Sequence, residues 1–318
     1  MSSPVVSVIV PNYNHKAFLE QRLESILNQT FQDFELILLD DYSTDGSKSI
    51  LEKYKNHSKV TALLYNTVNT GKPILQWEKG IECASGDYIW IAESDDYCDF
   101  SFLEKMVGFL ENRVDLGLAY SQSLDVDEKG NTLSHRLKYT ENFDPNIWKE
   151  DFVITGIDFI HQYLKVKNVI PNASAVLFKK SLVDSLYFKS DGIKDLHMCA
   201  DWLFWIRVIQ NAKIGFLNQE LNYFRNHVAV TRNHSDIEKQ KKRVLEEVVI
   251  RKYLSKMDNL KQLELWIQVF RKWLTLSKSV LLDNFKILKI LKSPKLIMLY
   301  SKVLFEVRIE PKLKSIRF

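Results

Sequence analysis

Apolar and polar segments alternate regularly along the N-terminal part of the chain. Predominantly apolar runs at residues 5–10, 34–39, 60–65 and 88–92 have the length and the composition of buried β-strands. Between them, apolar residues recur at three- and four-residue spacing, which is typical of amphipathic helices. The repeated order of strand, polar loop and helix predicts an α/β fold, in which helices flank a mostly parallel sheet.

Polar loops follow three of the predicted strands and carry the most distinctive side chains. They are Pro11-Asn12-Tyr13-Asn14, Asp40-Asp41-Tyr42-Ser43-Thr44-Asp45 and Glu93-Ser94-Asp95-Asp96. Because ligands of open α/β sheets bind at the carboxyl ends of the strands, we expect all of these loops to face one crevice.

The last of these loops concentrates negative charge. Glu93, Asp95 and Asp96 follow a strand almost consecutively, and like charges this close repel unless a cation lies between them. Mg²⁺ and Mn²⁺ prefer oxygen ligands and commonly share a site with substrate phosphates. A site for Mn²⁺ or Mg²⁺ is therefore one interpretation, and a solvated acidic turn that caps a helix is the other.

The order and the spacing of these motifs resemble those of the family 2 glycosyltransferases, which have the GT-A (Rossmann-like) fold. The matching segments are 6–14, 25–31, 39–45, 85–89 and 93–96. The resemblance extends over about the first 125 residues, is patchier to about residue 230 and is absent beyond it. It implies an inverting enzyme that binds a nucleotide-diphospho-sugar, usually a UDP-sugar, together with a divalent metal and transfers the sugar to an acceptor hydroxyl.

The resemblance also implies roles for individual residues. Tyr13 takes the position of the family's base-stacking tyrosine, and Pro11 beside it shapes the pocket wall. Asp41 matches the acid that hydrogen-bonds the uracil ring. Asp95 and Asp96 match the acids that contact the ribose and hold the metal against the diphosphate.

Further positions carry weaker predictions. Glu93 stands where many relatives have aspartate, so its longer side chain either contacts the ligand or braces the loop. Lys72 either neutralises phosphate or is a surface lysine. His227 lies in the closing segment, where a family histidine can approach the metal or the diphosphate, and an exposed loop histidine is the alternative.

An aromatic-rich helical stretch at residues 199–208 is expected to supply the general base. It resembles the family segment whose acid deprotonates the acceptor hydroxyl, and Asp201 falls on that position. Ala200 departs from the glutamate or glycine that is common there, and a helix N-cap is the alternative role for Asp201. Arg207 is expected to form an ion pair or to contact an anion.

Composition narrows the class of protein only slightly. The 318 residues, with a net charge of +4, suffice for a GT-A domain over residues 1–230 and an extension over residues 231–318. Three cysteines without metal-ligand spacing imply neither a disulfide framework nor a zinc site. Since no signal peptide precedes Val5 and no apolar run reaches about 18 residues, we expect a cytoplasmic enzyme. We expect no nucleic-acid partner.

The positive charge is concentrated at the end of the chain. Residues 277–318 contain ten lysines and arginines but only three acids, and apolar residues alternate with these cations at helical spacing. A basic amphipathic helix pair favours peripheral binding to the anionic inner face of the cell membrane. Packing against the catalytic domain or a partner chain is the alternative.

These patterns together predict an inverting, metal-dependent glycosyltransferase of bacterial cell-surface polysaccharide synthesis, acting on a glycan or a lipid-linked glycan. A nucleotide-sugar dehydrogenase would require a glycine-rich turn after the first strand, which residues 11–14 lack. A non-catalytic scaffold with the same fold is a further alternative, and the intact Asp41, Asp95, Asp96 and Asp201 argue against it. We expect the residues that select the donor sugar between about residues 125 and 195.

Overall fold

The structure is a computed structural model that describes residues 3–113, 115–183, 187–189, 192–227, 236–257, 263–277 and 280–310. The chain divides into two compact units, residues 1–228 and 229–318. All the described strands belong to the first unit, and the described part of the second unit is helical.

Strands and helices alternate in the first half of the N-terminal unit, as the sequence predicts. The elements are β1 (Val6–Asn12), α1 (Lys16–Leu27), β2 (Phe34–Asp40), α2 (Ser47–Tyr54), β3 (Val60–Tyr65), α3 (Pro73–Cys83), β4 (Tyr88–Ile91), β5 (Tyr97–Cys98), α4 (Phe102–Glu111), β6 (Leu116–Val126), β7 (Thr132–His135), β8 (Phe152–Thr155), α5 (Gly156–Phe159), β9 (Val176–Lys179), α6 (Ala200–Ile209) and β10 (Lys213–Arg225).

The strands form one mixed sheet in the order β3-β2-β1-β4-β9-β6-β10-β5, with β7 beside β6 and β8 beside β10. Strands β1 to β4 are parallel, which confirms the predicted α/β architecture. Strand β9 runs antiparallel between β4 and β6. Its insertion was not predicted, because a strand of four residues preceded by short 3₁₀ turns leaves almost no periodic signal.

Helices cover both faces of the sheet, so β1 is buried along its whole length. Val6, Val8 and Val10 pack in one core with apolar side chains of α1, α2 and α4. Ile9 faces the opposite layer, where a Cβ on Gly80 of α3 would lie only 2.3 Å from the Ile9 side chain. Glycine therefore lets α3 lie directly on β1, and the carboxyl end of β1 is held between two helical layers.

The C-terminal unit contains helices α7 (Ile237–Met257), α8 (Leu263–Leu276), α9 (Val280–Leu291) and α10 (Pro294–Leu304). They enclose a core of their own, formed by Val244, Val248, Trp266, Val269, Phe270, Trp273, Leu274, Ile287, Leu291, Tyr300 and Val303. Much of the apolar stripe expected to face a membrane or the catalytic domain therefore packs within this unit. Among the described helices, none combines the length and the apolarity needed to cross a bilayer.

Candidate active site

The loops after β1 and β2 meet at the carboxyl ends of the parallel strands. Asn12 and Asp40 are partners in the register of β1 and β2, and Nδ2 of Asn12 donates a 2.8 Å hydrogen bond to Oδ1 of Asp40. Oδ2 of Asp40 accepts from the backbone N–H of Ser43 across a turn in which Tyr42 has a φ of +67°. Asp40 thus shapes the loop that follows it.

Asp41 is buried and its carboxylate accepts several hydrogen bonds. The donors are the side chains of Asn66, Thr70 and Gln76, at 2.7–3.0 Å, and the backbone N–H of Thr70. The carboxylate therefore connects β2 to the loop after β3 and to α3. Beside it, Pro11 is buried and 42% of Tyr13 is exposed, which leaves the tyrosine ring accessible for stacking.

Glu93 follows β4 and is held by an indole. Nε1 of Trp77 donates a 2.8 Å hydrogen bond to Oε1 of Glu93. Burial raises the pKa of Glu93 to about 8, and the charge of Asp95 adds to the shift. Without a bound cation, Glu93 is therefore mostly protonated near neutral pH, and the acidic cluster carries less charge than its sequence suggests.

Asp95 and Asp96 have different surroundings although they are adjacent. Asp96 is buried, with Oδ1 accepting from the backbone N–H of Arg225 and Oδ2 accepting from Nδ2 of Asn172. Burial and the charge of Asp95 raise the pKa of Asp96. Asp95 keeps 18% of its side chain exposed and accepts from His227 at 3.0 Å. Burial opposes ionisation of Asp95, but this hydrogen bond and the nearby His15 hold its pKa below the usual value.

Arg225 fixes the backbone around these acids. Its Nε donates to the carbonyl oxygen of Asp95 at 2.8 Å, and its Nη2 donates to Oε1 of Gln21 on α1. The guanidinium also lies 4.7 Å from the ring centroid of Phe18. The end of β10 is thereby fastened to the loop after β4, and His227 two residues later is brought to Asp95.

Two histidines and one aspartate converge at this point. One donor atom from each of His15, Asp95 and His227 lies within 4.8 Å of the others, a separation that a shared metal ion could bridge. Burial lowers the pKa of His15 more than the nearby Asp95 carboxylate raises it, and a neutral imidazole is the form that binds metals. Sequence reasoning missed His15, although its place directly after the β1 loop was a usable signal.

Asp201 lies in the first turn of α6, and Cys199 rather than Asp201 occupies the N-cap position. Its Oδ2 accepts a 2.9 Å hydrogen bond from Nδ2 of Asn168, and its Oδ1 accepts from the backbone N–H of Trp202. Asn168 lies four residues before Asn172, whose amide donates to Asp96. A single short loop, residues 168–172, therefore contacts both carboxylates.

The contacts described for Lys72 and Arg207 are to backbone carbonyl oxygens and to a tyrosine ring. Nζ of Lys72 donates to the carbonyl oxygen of Lys194 at 2.6 Å, which joins the loop after β3 to the segment before α6. Nη1 of Arg207 donates to the carbonyl oxygen of Tyr187, and the guanidinium lies 5.7 Å from the Tyr187 ring centroid. The structure therefore brings His227 to the acidic loop, whereas the contacts described for Lys72 and Arg207 lie elsewhere.

Comparison with known protein families identifies the family of this chain. The model of the family described as Glycosyl transferase family 2 matches residues 7–166, half of the chain. The chain belongs to this family. The resemblance found in the sequence motifs is therefore confirmed.

Individual members of the family match different lengths of the chain. An uncharacterized glycosyltransferase of Haemophilus influenzae is 36% identical over 155 residues, which is 47% of this chain and 61% of that protein. TarP of Staphylococcus aureus, a poly(ribitol-phosphate) beta-N-acetylglucosaminyltransferase, is 27% identical over 72% of this chain and 67% of its own length. The chain thus spans about two thirds of these glycosyltransferases.

Solved structures confirm the GT-A fold. The crystal structure of S. aureus TarS 1-349 in complex with UDP-GlcNAc has a TM-score of 0.62 and 19% identity, covering 94% of this chain and 82% of that one. The mannosyltransferase PcManGT from Pyrobaculum calidifontis, in complex with GDP-Man and Mn²⁺, has a TM-score of 0.51 and 15% identity, covering 96% of this chain and 75% of that one. At these identities the likeness concerns the fold.

Proposed function

We propose that this family 2 glycosyltransferase transfers a sugar from a UDP-sugar to an acceptor hydroxyl, with inversion at the anomeric carbon. The observation that carries the proposal is the loop of residues 168–172, which contacts Asp201 at one end and Asp96 at the other. This loop links a candidate general base to a candidate diphosphate site. Such an arrangement suits a direct displacement between a donor and an acceptor.

The donor nucleotide is assigned to the crevice at the ends of β1 and β2. The accessible ring of Tyr13 suits stacking on a base, worth about 1–3 kcal/mol by analogy with nucleobase contacts. Asp41 lies one residue beyond β2, with its carboxylate fixed by Asn66, Thr70 and Gln76, and is the acid proposed to recognise the uracil ring. TarS has a similar fold, and its crystal structure in complex with UDP-GlcNAc supports a uridine nucleotide as the donor.

Asp95 is the proposed metal ligand among the acids, with His227 beside it. Asp96 and Glu93 are already engaged by Asn172, Arg225 and Trp77, whereas Asp95 is partly exposed. A divalent metal held there would stabilise the negative charge that develops on the departing diphosphate. The donor atoms present fit such an ion, and the Mn²⁺ in the PcManGT complex supports Mn²⁺ as a candidate.

Asp201 is the proposed general base. The hydrogen bonds from Asn168 and from the Trp202 N–H fix the plane of its carboxylate. One of its oxygens would take the acceptor proton as the acceptor oxygen attacks the anomeric carbon. The bond to the diphosphate breaks in the same displacement, so the configuration inverts without a covalent sugar–enzyme intermediate.

The acceptor is proposed to be a bacterial cell-surface glycan, free or lipid-linked. TarP, whose name gives poly(ribitol-phosphate) as its substrate, is similar over 72% of this chain and supports a cell-surface polymer. The C-terminal unit would then bring the enzyme to the inner face of the membrane. We give the name basic stripe to a set of exposed residues of this unit: Phe285 and Lys289 of α9, Lys292 just after α9, Lys295, Met298 and Lys302 of α10, and Phe305 just after α10.

Exposure of the basic stripe supports this membrane proposal. Phe285 and Met298 leave 70% and 72% of their surface exposed, and the lysines beside them are exposed too. Residues 295, 298, 302 and 305 recur at three- and four-residue spacing and so share one helical face. Apolar side chains interleaved with cations are the composition that binds anionic lipid surfaces.

A donor screen tests the proposed activity. The purified chain would be incubated with UDP- and GDP-sugars and a lipid-linked glycan fraction, and release of free nucleotide measured with Mn²⁺ and with EDTA. We expect release of UDP from one UDP-sugar, its loss in EDTA and its loss in Asp201→Asn. Binding of UDP-sugars without any transfer in this screen would favour the non-catalytic scaffold instead.

A further inference from the structure

His15 lies beside Asp95, the proposed metal ligand, but has no role in the function proposed above. Its Nδ1 is 2.8 Å from Oγ of Ser94, the residue between Glu93 and Asp95. Its ring meets the ring of His227 nearly edge to face, with centroids 5.4 Å apart. Two imidazoles from opposite ends of the catalytic unit thus converge on the same carboxylate.

The hydrogen bond to Ser94 occupies one ring nitrogen of His15 and leaves Nε2 for another partner. Metal-binding histidines usually engage a second group through the nitrogen that does not bind the metal, and this contact fixes the ring. Ser94 is fully buried, so the contact is shielded from water. His15 is therefore oriented in the way expected of a ligand.

The remaining acids of the loop cannot easily take the place of His15. Glu93 accepts from Trp77, and Asp96 accepts from both Asn172 and Arg225. Using either carboxylate as a metal ligand would disturb hydrogen bonds in the interior. The nitrogens of His15 and His227 are thus the natural companions of the Asp95 oxygen.

We propose that His15 is the third protein ligand of the metal, which gives a site of two imidazoles and one carboxylate. Imidazole nitrogen favours first-row transition metals, whereas Mg²⁺ prefers oxygen ligands. The site therefore selects Mn²⁺, Co²⁺ or Zn²⁺ over Mg²⁺. Three protein ligands leave open positions for diphosphate oxygens and water. This inference rests on the proposed placement of the metal at Asp95 and His227.

Direct metal-binding measurements on the full chain test this ligand set. Mn²⁺ binding would be followed by the loss of its free-ion EPR signal, and pulsed EPR would detect couplings to bound ¹⁴N. We expect two imidazole couplings in the wild type and one in His15→Ala, with Mn²⁺ affinity at least about ten-fold weaker. Mg²⁺ should displace Mn²⁺ from the wild type only at a large excess.

Two further variants separate a ligand role from a structural one. His15→Asp exchanges a nitrogen ligand for an oxygen ligand, so it should still bind Mn²⁺, with one nitrogen coupling and with easier displacement by Mg²⁺. His57→Ala removes an exposed histidine outside the site and should match the wild type. A merely structural role for His15 would not produce the altered metal preference of His15→Asp.

The outcomes that overturn the inference are distinct from a failure of the proposed function. Equal Mn²⁺ affinity and two nitrogen couplings in His15→Ala would exclude His15 as a ligand. Equal competition by Mg²⁺ and Mn²⁺ in the wild type would exclude the proposed selectivity. If the two-imidazole site is found but no donor is turned over, the proposed function fails and this inference stands.

Discussion

The indole N–H of Trp77 donates to the carboxyl group of Glu93, and through it the acidic loop is tied to α3. The ring of Trp77 also packs against Trp205 of α6, with centroids 5.7 Å apart. The helix that carries Asp201 and the loop that carries the acids thus share one aromatic support. A movement of the helix is therefore expected to displace the loop, and a movement of the loop to displace the helix.

Glu93→Gln is expected to change how stability depends on pH. The folded state raises the pKa of Glu93 from 4.5 to about 8, so the folded protein binds this proton more tightly than the unfolded chain. That contribution to stability is fully present below about pH 4.5, and it is lost progressively as pH rises from there to about 8. Over this pH range, the melting temperature of the wild type in EDTA should therefore fall relative to that of Glu93→Gln. The expected difference is about 2–4 °C for each kcal/mol of lost stability.

The exposed Glu82 of α3 provides the control for this experiment. Glu82→Gln should follow the wild-type melting temperature across the same pH range. Parallel curves for Glu93→Gln and the wild type would show that the carboxyl group of Glu93 titrates normally.

Substituting the two neighbouring aspartates should have different effects on the metal. Asp95→Asn removes the proposed ligand and should abolish measurable Mn²⁺ binding. Asp96→Asn disturbs a buried acid that positions the loop, so Mn²⁺ should still bind, weakened by about 10–100-fold as is usual for supporting residues. Calorimetric titration with Mn²⁺ measures both, and equal losses in the two variants would contradict the division of roles.

Substitutions of Tyr13 and Asp201 should have opposite effects: one should mainly weaken nucleotide binding and the other should mainly slow the chemical step. Asp201→Asn should lower kcat by about 10²–10⁴-fold, the usual contribution of a general base, and leave UDP affinity nearly unchanged. Tyr13→Ala should weaken UDP binding and have a milder effect on kcat. Steady-state kinetics and calorimetry with UDP make the comparison, and a matching loss of UDP affinity in Asp201→Asn would argue against its role as base.

Charge reversal on the basic stripe should release the protein from anionic vesicles. Each reversed lysine, as in Lys289→Glu with Lys295→Glu, removes about 1 kcal/mol of attraction and adds repulsion. Vesicle sedimentation should show at least a ten-fold loss of binding, and added salt should weaken the wild type similarly. Lys239→Glu with Lys242→Glu, on the exposed face of α7, is the control with the same charge change.

Surface substitution is a better test of this proposal than removal of residues 277–318. Ile287, Leu291, Tyr300 and Val303 complete the core around Trp273, so truncation would expose that core and promote aggregation. Equal vesicle binding by the stripe variant and the control would refute the membrane proposal.

The parallel half of the fold could be predicted from the sequence because its strands and helices each produce a local periodic pattern of apolar residues. Apolar runs ending in polar loops place Tyr13, Asp41 and Asp95 at one edge of the sheet without any knowledge of long-range contacts. The convergence of His15 with His227 depends on the path of β10, which the local pattern does not reveal.

The packing of the C-terminal helices was predicted only in part, for a related reason. Helical spacing identifies an apolar stripe but does not say what covers it. In the structure Leu291 and Tyr300 are buried in the core of the unit, whereas Phe285 and Met298 of similar character are exposed. Which apolar residues remain outside is decided by packing among four helices.

The loop of residues 168–172 has a practical meaning for engineering. Its two asparagines lie within the region, about residues 125–195, that is expected to select the sugar. They nevertheless donate hydrogen bonds to Asp96 and Asp201, which lie before and after that region in the sequence. A chimera that imports this region from another glycosyltransferase would carry foreign residues to both carboxylates. Specificity grafts should therefore retain the native 168–172 and exchange only the flanking segments.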